Sequence, residues 1–587
     1  MVGNIRKILK SFRNLCLSFV IVAGIMAIVA SGGGGGGGEG SSSSSSSGSS
    51  SGSSSSSISG STYDSSDLPT GTSFVYEDND TNPTNITFGS ITITGDSASA
   101  SCEDNVVTIN SPGTFNITGT IADGQIKVDT LEMGDVRLVF QGADITCSFG
   151  PPIDIENAER VIVRLESGTH NYLTDTHTSL LYDEDSEEID AALYSKEDLV
   201  ICGSGNLTIH TDYKDGIKSK DGLIIDSGTI NVMSEDDGII GKNYISVEDA
   251  NIYIAAGGDG LKSTENDDAD QGYIYIADGV FDIDAGADAI QVETHIVIQD
   301  GVFNLHTAGG NDTAKGLKVP VGITISDGEF TIDTADDSIH SNDTIVIDGG
   351  DYSLYSADDG IHADMAITIN EGIINVYDCY EGIESMVITI NGGEIHVESY
   401  DDPINATNGN RGENTPGVAI YINGGYTYLE CVNADGFDSN GAVYMNGGTV
   451  VVNGPVSGGN GILDYGSFTT TGGTLIGAGT SDMAQAPGSS SSSQNALLFM
   501  FSRKSAGTLF HIETDDGTEV VTFAPSKTYY SIVFTSPLIT TGTTISVYSG
   551  GTYTGGSVTD GLYTGGTYSG GDELISFTIS YKVTYIS

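Results

Sequence analysis

The stretch Asp358-Asp359-Gly360-Ile361 returns twenty-two residues later as Tyr380-Glu381-Gly382-Ile383. This acid-Gly-Ile step runs through eleven turns of the chain. It reads Asp215-Gly216-Ile217, Asp237-Gly238-Ile239, Asp259-Gly260-Leu261, Asp288-Ala289-Ile290, Lys315-Gly316-Leu317, Asp337-Ser338-Ile339, Asp359-Gly360-Ile361 and Glu381-Gly382-Ile383. Degenerate copies follow at Asp402-Pro403-Ile404, Asp435-Gly436-Phe437 and Asn460-Gly461-Ile462. The steps are 22, 22, 29, 27, 22, 22, 22, 21, 33 and 25 residues. Such a period constrains the fold more than any local propensity. One copy is too small to bury its own apolar face and must stack on the next.

Each copy carries two short alternating runs. The first is of the kind Ile345-Val-Ile347, Ile367-Thr-Ile369 or Ile388-Thr-Ile390. The second follows an Asn/Asp-Gly-Gly turn, as in Gly328-Glu-Phe-Thr-Ile332 and Gly393-Glu-Ile-His-Val397. Alternation with β-branched residues marks strands with one buried face, and the Gly and Asn between them mark turns that need positive φ. Three short strands in about 22 residues make one rung of a parallel β-helix, whereas a propeller blade needs about 40. The expected fold is therefore all-β, a right-handed parallel β-helix (a solenoid). The polar stretches Ser263–Gly272, Ala308–Lys315 and Asn405–Pro416 account for the long steps as loops.

The ends differ in composition. Arg6, Lys7, Lys10 and Arg13 precede the apolar run Leu15 to Val29, so residues 1–31 read as a signal peptide, with a short membrane anchor as the alternative. No cysteine follows that run, as a lipoprotein would require. Residues 32–62 are a Gly/Ser-rich linker, residues 63–480 the β-helix and residues 481–494 a Ser-rich loop. Residues 495–587 form a small C-terminal β unit that caps the open end of the helix, where strand edges are otherwise free to aggregate. The expected place is secreted or at the cell surface, without stable membrane insertion of the mature domain.

Against 80 Asp and Glu stand only 21 Lys and Arg, a formal net charge of −59. Nucleic acid is excluded as a partner, since phosphate binding needs clustered cations. Cys16 lies in the signal. The five remaining cysteines have no C-x-x-C spacing, so no disulfide framework is expected, and at most Cys102 and Cys147 pair.

In a parallel β-helix equivalent positions stack about 4.8 Å apart. The acids of the repeat then form rows, and neighbouring carboxylates repel by roughly 3 kcal/mol per pair at an effective dielectric near 20. Protonation could offset that. Lysines are too few. Calcium, which takes six to eight oxygens, is the expected cofactor. One candidate cluster is Asp212, Asp215, Asp236, Asp237 and Asp259. The other is Asp336, Asp337, Asp358, Asp359, Glu381 and Asp401. The insertion Glu265 to Asp270 offers a third place. The plainer alternative is that Asp-Gly only makes a turn, although a turn does not call for a doubled acid.

Three residues beyond the acid runs a mixed row: Lys218, Ile240, Lys262, Gln291, Lys318, His340, His362, Glu384. It reads either as charge balance or as a groove for an anionic sugar polymer, with Lys218, Lys262 and Lys318 meeting carboxylates. Recurrent tyrosines, among them Tyr253, Tyr275, Tyr352, Tyr355, Tyr380 and Tyr428, are taken as exposed. Tyr253, Tyr275, Tyr355 and Tyr380 are the candidate sugar contacts, although Tyr is also an ordinary strand residue.

The doubled acid before Gly-Ile, the Asn/Asp-Gly-Gly turns and stretches such as Tyr213-Lys-Asp215-Gly-Ile-Lys218-Ser-Lys220-Asp-Gly222 resemble the bacterial carbohydrate-binding β-helix domain proteins. So does the tail Gly550-Gly-Thr-Tyr-Thr-Gly-Gly556. The likeness covers roughly Phe74 to Gly570. It implies a secreted, calcium-binding β-helix, related in shape to polysaccharide lyase family nine, that binds plant or microbial cell-wall polysaccharide such as cellulose or pectic acid. Three functions follow as expectations. The first is a non-catalytic, calcium-stabilised polysaccharide binder. The second is a calcium-dependent pectate lyase acting by β-elimination, with Lys218, Lys262 or Lys318 as base. The third is a surface adhesin or structural solenoid.

Overall fold

The computed structural model describes residues 68–587 apart from residues 78–79, 184–185, 308–311, 411, 413 and 489. The signal, the linker and the first residues of the expected β-helix, 63–67, lie outside the described residues. Those described all fall in one compact unit, Thr62–Ser587.

No described residue is helical. Stacked parallel strands form a β-solenoid of about 15 turns. The rung-to-rung register is the one the repeat dictates. Ile217, Ile239, Leu261, Ile290, Leu317, Ile339, Ile361, Ile383 and Ile404 pair in succession, and every one is fully buried. The 29-residue step keeps this register because its surplus lies outside the strands. Leu261–Lys262 still pairs with Ile290–Gln291.

Inside runs a stack of rings, Phe281, Phe303, Phe330 and Tyr352, with centroids 4.7, 4.6 and 4.7 Å apart and planes within 3° of parallel. Tyr352 is thus a core residue (0 % exposed) rather than an exposed tyrosine. Strand alternation points it inward in line with Phe330, and its hydroxyl donates to the Gly349 carbonyl at 2.9 Å. Tyr428 is buried too, packed in the core cluster that the C-terminal unit shares with the last rungs.

Two kinds of glycine appear. Gly393 of the Asn-Gly-Gly turn has φ +85°, and a Cβ there would lie 2.8 Å from the Gly372 carbonyl one rung back. Gly238 of the acid-Gly-Ile step has no positive φ. Its Cβ would meet the Gly260 carbonyl at 2.5 Å and Ile254 at 2.6 Å, so close stacking rather than turn geometry demands it.

The turn asparagines form a ladder. Thr471 Oγ1 donates to Asn446 Oδ1, and Asn446, Asn423, Asn391 and Asn370 each donate Nδ2 to the residue one rung back, ending on Asp348 Oδ1, at 2.6 to 2.9 Å.

Both ends abandon the parallel pattern. Thr84–Thr87 pairs antiparallel with Thr92–Thr94. At the other end, Thr474–Gly479 pairs antiparallel with Tyr529–Thr535, which pairs antiparallel with Ala496–Lys504. The edge of the last rung is covered, as expected of a C-terminal cap. Cys102 and Cys147 are both free thiols, the first exposed and the second buried in the solenoid wall, so the one disulfide considered is not formed.

Candidate functional site: the acidic row

The acids of the repeat line one corner of the solenoid, and Asp215, Asp237, Asp259, Asp288 and Asp337 each make two kinds of bond. One oxygen accepts the backbone N–H of the equivalent residue in the next rung. Asp215 Oδ1 takes the N–H of Asp237 (3.2 Å), Asp237 that of Asp259 (2.7 Å), Asp259 that of Asp288 (2.9 Å) and Asp288 that of Lys315 (2.8 Å). Lys315 has no carboxylate to continue the chain, which resumes with Asp337 accepting from Asp359 (3.0 Å). The second oxygen faces a cation. Lys218 Nζ lies 2.6 Å from Asp190 and 3.2 Å from Asp215. Lys262 lies 2.9 Å from Asp237 and 2.7 Å from Asp259, and Lys318 2.7 Å from Asp288. Lys315 reaches Asp336 and Asp337, each at 2.7 Å.

These contacts correct one expectation. Few lysines suffice in the first rungs, because a lysine between rungs serves two carboxylates. Asp190 is a partner that the repeat did not disclose. It lies where the motif has degenerated to Asp190-Ala-Ala-Leu193, and only the pairing of Leu193 with Ile217 gives the register. The row three residues beyond the acid is as expected, with Lys218, Ile240, Lys262, Gln291, Lys318, His340, His362 and Glu384 neighbours in sequence.

Charge compensation then fails along the axis. Asp337 is buried, which alone would raise its pKa. Bonds from His340 (2.7 Å) and Lys315 outweigh burial and hold it down at about 2. Asp359 is one rung on, with His362 at 2.7 Å but no lysine, and burial pushes it up to about 6. Asp402 is pushed up to about 9 by burial and by Asp438, Asp435, Asp401 and Glu381. Burial and neighbouring Glu381 also raise Glu384. Asp215 in the lower rungs reaches about 7, again through burial, with Lys218 opposing.

The candidate metal ligands separate into groups. Asp215, Asp236 and Asp237 each offer an oxygen within 4.8 Å of the others, as do Asp336, Asp337 and Asp358. Asp259 sits one rung beyond the first group, on Lys262. Asp212 stands apart on exposed His210 (3.0 Å). Asp359 gathers instead with His362 and Glu384. Glu381 accepts from Asn405 Nδ2 at 2.9 Å, and Asp401 accepts from the Tyr380 hydroxyl. In the 265–270 insertion, Glu265 pairs with Lys242 at 3.0 Å and no set of three close ligands occurs among the described residues. Asp236 and Asp358, first members of two of the doublets, are exposed and have no cationic partner among the described residues, whereas Asp336 is held by Lys315. Both carboxylates of one doublet press close on the Gly258 backbone, where a Cβ would lie 2.5 Å from Asp237 Oδ1 and 2.8 Å from Asp236 Oδ1, so no side chain fits there. An all-oxygen set of this kind fits a hard cation such as calcium.

The tyrosines do not form one platform. Tyr253 and Tyr355 lie on the face that precedes the acid corner, and Tyr355 stacks on Tyr377 at 5.3 Å. Tyr380 (45 % exposed) and Tyr400 (55 % exposed) stack at 6.1 Å at the corner itself. Tyr275 is on another face and lies under Gly71, where a Cβ would be 2.4 Å from its ring.

Lys218 and Lys262 are poorly suited as general bases. Burial works against the charge of Lys218, but Asp215 and Asp190 outweigh it and hold its pKa above the usual value. Lys262 is raised in the same way by Asp259 and Asp237. A proton-abstracting lysine needs the opposite shift.

The family model of the carbohydrate-binding domain-containing proteins matches residues 103–360 and 356–516. A carbohydrate-binding domain-containing protein of Acetivibrio thermocellus is 36% identical over 132 residues, which is 22% of this chain and 46% of the relative. The chain thus spans about half the length of that relative. Among solved structures, the gadolinium derivative of a polysaccharide lyase-like protein from C. thermocellum is 31% identical, with a TM-score of 0.39, and covers 41% of this chain and 96% of its own.

Proposed function

Because the chain belongs to the carbohydrate-binding domain-containing proteins, we propose that it is a secreted or surface-displayed, non-catalytic binder of cell-wall polysaccharide. Cellulose and pectic acid are the candidate ligands. The observation that carries this reading is the corner itself. Two separate pairs of rings stack from rung to rung, Tyr355 on Tyr377 before the corner and Tyr380 on Tyr400 at it, where the Tyr380 hydroxyl meets Asp401. Rungs about 4.8 Å apart offer one aromatic or acidic group per rung, a spacing close to the length of one pyranose unit. Apolar sugar faces stack on tyrosine, and the ring hydroxyls meet carboxylates.

An acidic polymer cannot approach this row directly, since both partners are anionic. Calcium bridging the open carboxylates of Asp236, Asp358 and Asp401 to uronate groups removes that conflict. Bound calcium also draws the rungs together through Asp215, Asp237, Asp337 and Glu381. Cellulose is neutral and needs no bridge.

The test is sedimentation with insoluble cellulose and with pectate, with millimolar calcium and with chelator. Binding to pectate that chelator abolishes is expected, as is a lower melting midpoint in chelator. Absence of binding to both polymers in calcium removes the sugar reading and leaves the adhesin or structural solenoid. An unchanged midpoint removes structural calcium. The lyase reading is opposed by the raised pKa values of Lys218 and Lys262. Unsaturated product from polygalacturonate, lost on a single Lys→Ala change at 218, 262 or 318, would restore it.

A further inference from the structure

The row three residues beyond the acid changes character halfway along. Lys218, Lys262 and Lys318 are permanent cations, but the next two rungs carry His340 and His362, then Glu384 and Asn405. Nδ1 of each histidine is 2.7 Å from the Asp of its own rung, Asp337 and Asp359. Those bonds turn Nδ1 of both rings toward the acidic row, while His340 Nε2 meets Asn342 Oδ1 at 2.9 Å and His362 Nε2 lies 3.5 Å from Asp364 Oδ1. The rings are side by side, with centroids 5.0 Å apart at 45°. Asp337, His340 and His362 each bring a ligand atom within 4.8 Å of the others, and so do Asp359, His362 and Glu384. His362 belongs to both sets.

Two further observations point to a missing cation. Among the described residues no Lys or Arg pairs with Asp359, Glu381 or Glu384. Asn405, next in the row, donates its Nδ2 to Glu381 (2.9 Å) and Glu384 (2.8 Å), and its buried Oδ1 has no partner. A buried acceptor left unpaired costs stability unless a donor or cation meets it.

We propose that His362, with Asp359 and Glu384, forms a site for one divalent transition metal of the zinc class, bordered by His340 on the neighbouring rung. Imidazole with carboxylate is a donor set that zinc takes readily, while calcium takes oxygen alone. Lys315 already stands beside Asp336 and Asp337, so the metal sits on the His362 side of the corner. This site is independent of the sugar reading and would stand if polysaccharide binding failed.

The experiment uses the full chain stripped with chelator and titrated with zinc chloride by calorimetry at neutral pH. One equivalent of zinc should bind, and an equal concentration of calcium should not displace it. The double variant His340→Lys and His362→Lys copies the pairing of Lys262 with Asp259, so it keeps the charge balance of the fold while removing the imidazoles. Its metal-free melting midpoint should match that of the parent, and its zinc affinity should fall about tenfold or more. Should that variant fail to fold, the cobalt(II) absorption spectrum of the unaltered chain decides, since it reports nitrogen ligation directly. No zinc uptake by the parent, equal uptake by the folded variant, displacement by calcium, or a cobalt spectrum without nitrogen ligands each overturns the proposal.

Discussion

Asp237 accepts the backbone N–H of Asp259, its counterpart one rung on, at 2.7 Å, and its other oxygen holds Lys262 at 2.9 Å. One side chain thus joins two rungs through the backbone and neutralises a charge between them. The acid of the repeat is a rung-to-rung bracket first and a metal candidate second.

The bracket makes a prediction about paired variants. Asp237→Ala leaves the N–H of Asp259 without its acceptor and is expected to cost about 1–3 kcal/mol. Asp237→Asn keeps an oxygen for that N–H and loses only the charge toward Lys262, so its cost is smaller. Urea unfolding of the two variants measures the difference. Equal losses would mean that the backbone bond contributes nothing.

The pH dependence runs opposite to ordinary acid denaturation. Asp402 (about 9), Asp215 (about 7) and Asp359 (about 6) are raised above the ordinary carboxylate value of 3.8. Their folded forms hold protons that the unfolded chain has released. Their contribution is complete below the unfolded value and is lost progressively as pH rises through each folded value. Asp337 is depressed to about 2 and acts the other way, its contribution being lost as pH falls below 3.8. The melting midpoint should therefore peak near pH 4–5 and decline up to about pH 9. Asp402→Asn should flatten the alkaline part of the decline. A midpoint that rises from pH 5 to 8 in chelator would contradict these assignments.

Gly393 and Gly142 both have positive φ, +85° and +84°, but only Gly393 faces a carbonyl where a Cβ would go. Alanine at either position carries the φ strain, on the order of 1 kcal/mol or more. Gly393→Ala adds the collision with Gly372 and should lose clearly more stability than Gly142→Ala. Thermal melts of both variants check this, and equal losses would assign the whole effect to φ.

Removal of residues 495–587 uncovers the strand Thr474–Gly479 and apolar Val451 and Ile476. The truncated chain is expected to associate, read as growth in mass by light scattering. A monodisperse monomer would show that the C-terminal unit does not protect the edge.

Much of this was legible in the chain itself. The spacing of Ile217, Ile239 and Leu261 set the register, and the row from Lys218 to Glu384 followed without error, because a solenoid turns sequence separation into contact. Three things were not legible. Tyr352 reads like Tyr355 until the phase of the strand decides which faces inward. The hold of Lys218 on Asp190 crosses rungs at a place where the motif has decayed. The bond from each carboxylate to the next backbone N–H has no compositional mark at all, since any turn-making Asp looks the same in sequence.

The asparagine ladder has a direction. From Thr471 through Asn446, Asn423, Asn391 and Asn370 every donor points the same way, and the line ends on the carboxylate of Asp348. The amide dipoles therefore add instead of cancelling, and each bond polarises the next. The negative charge of Asp348 sits where the positive ends of the amides converge. One edge of the molecule is thus an electrically polar filament. Its two ends are unlike, and exchanging one central amide for an apolar side chain would divide it into two weaker segments.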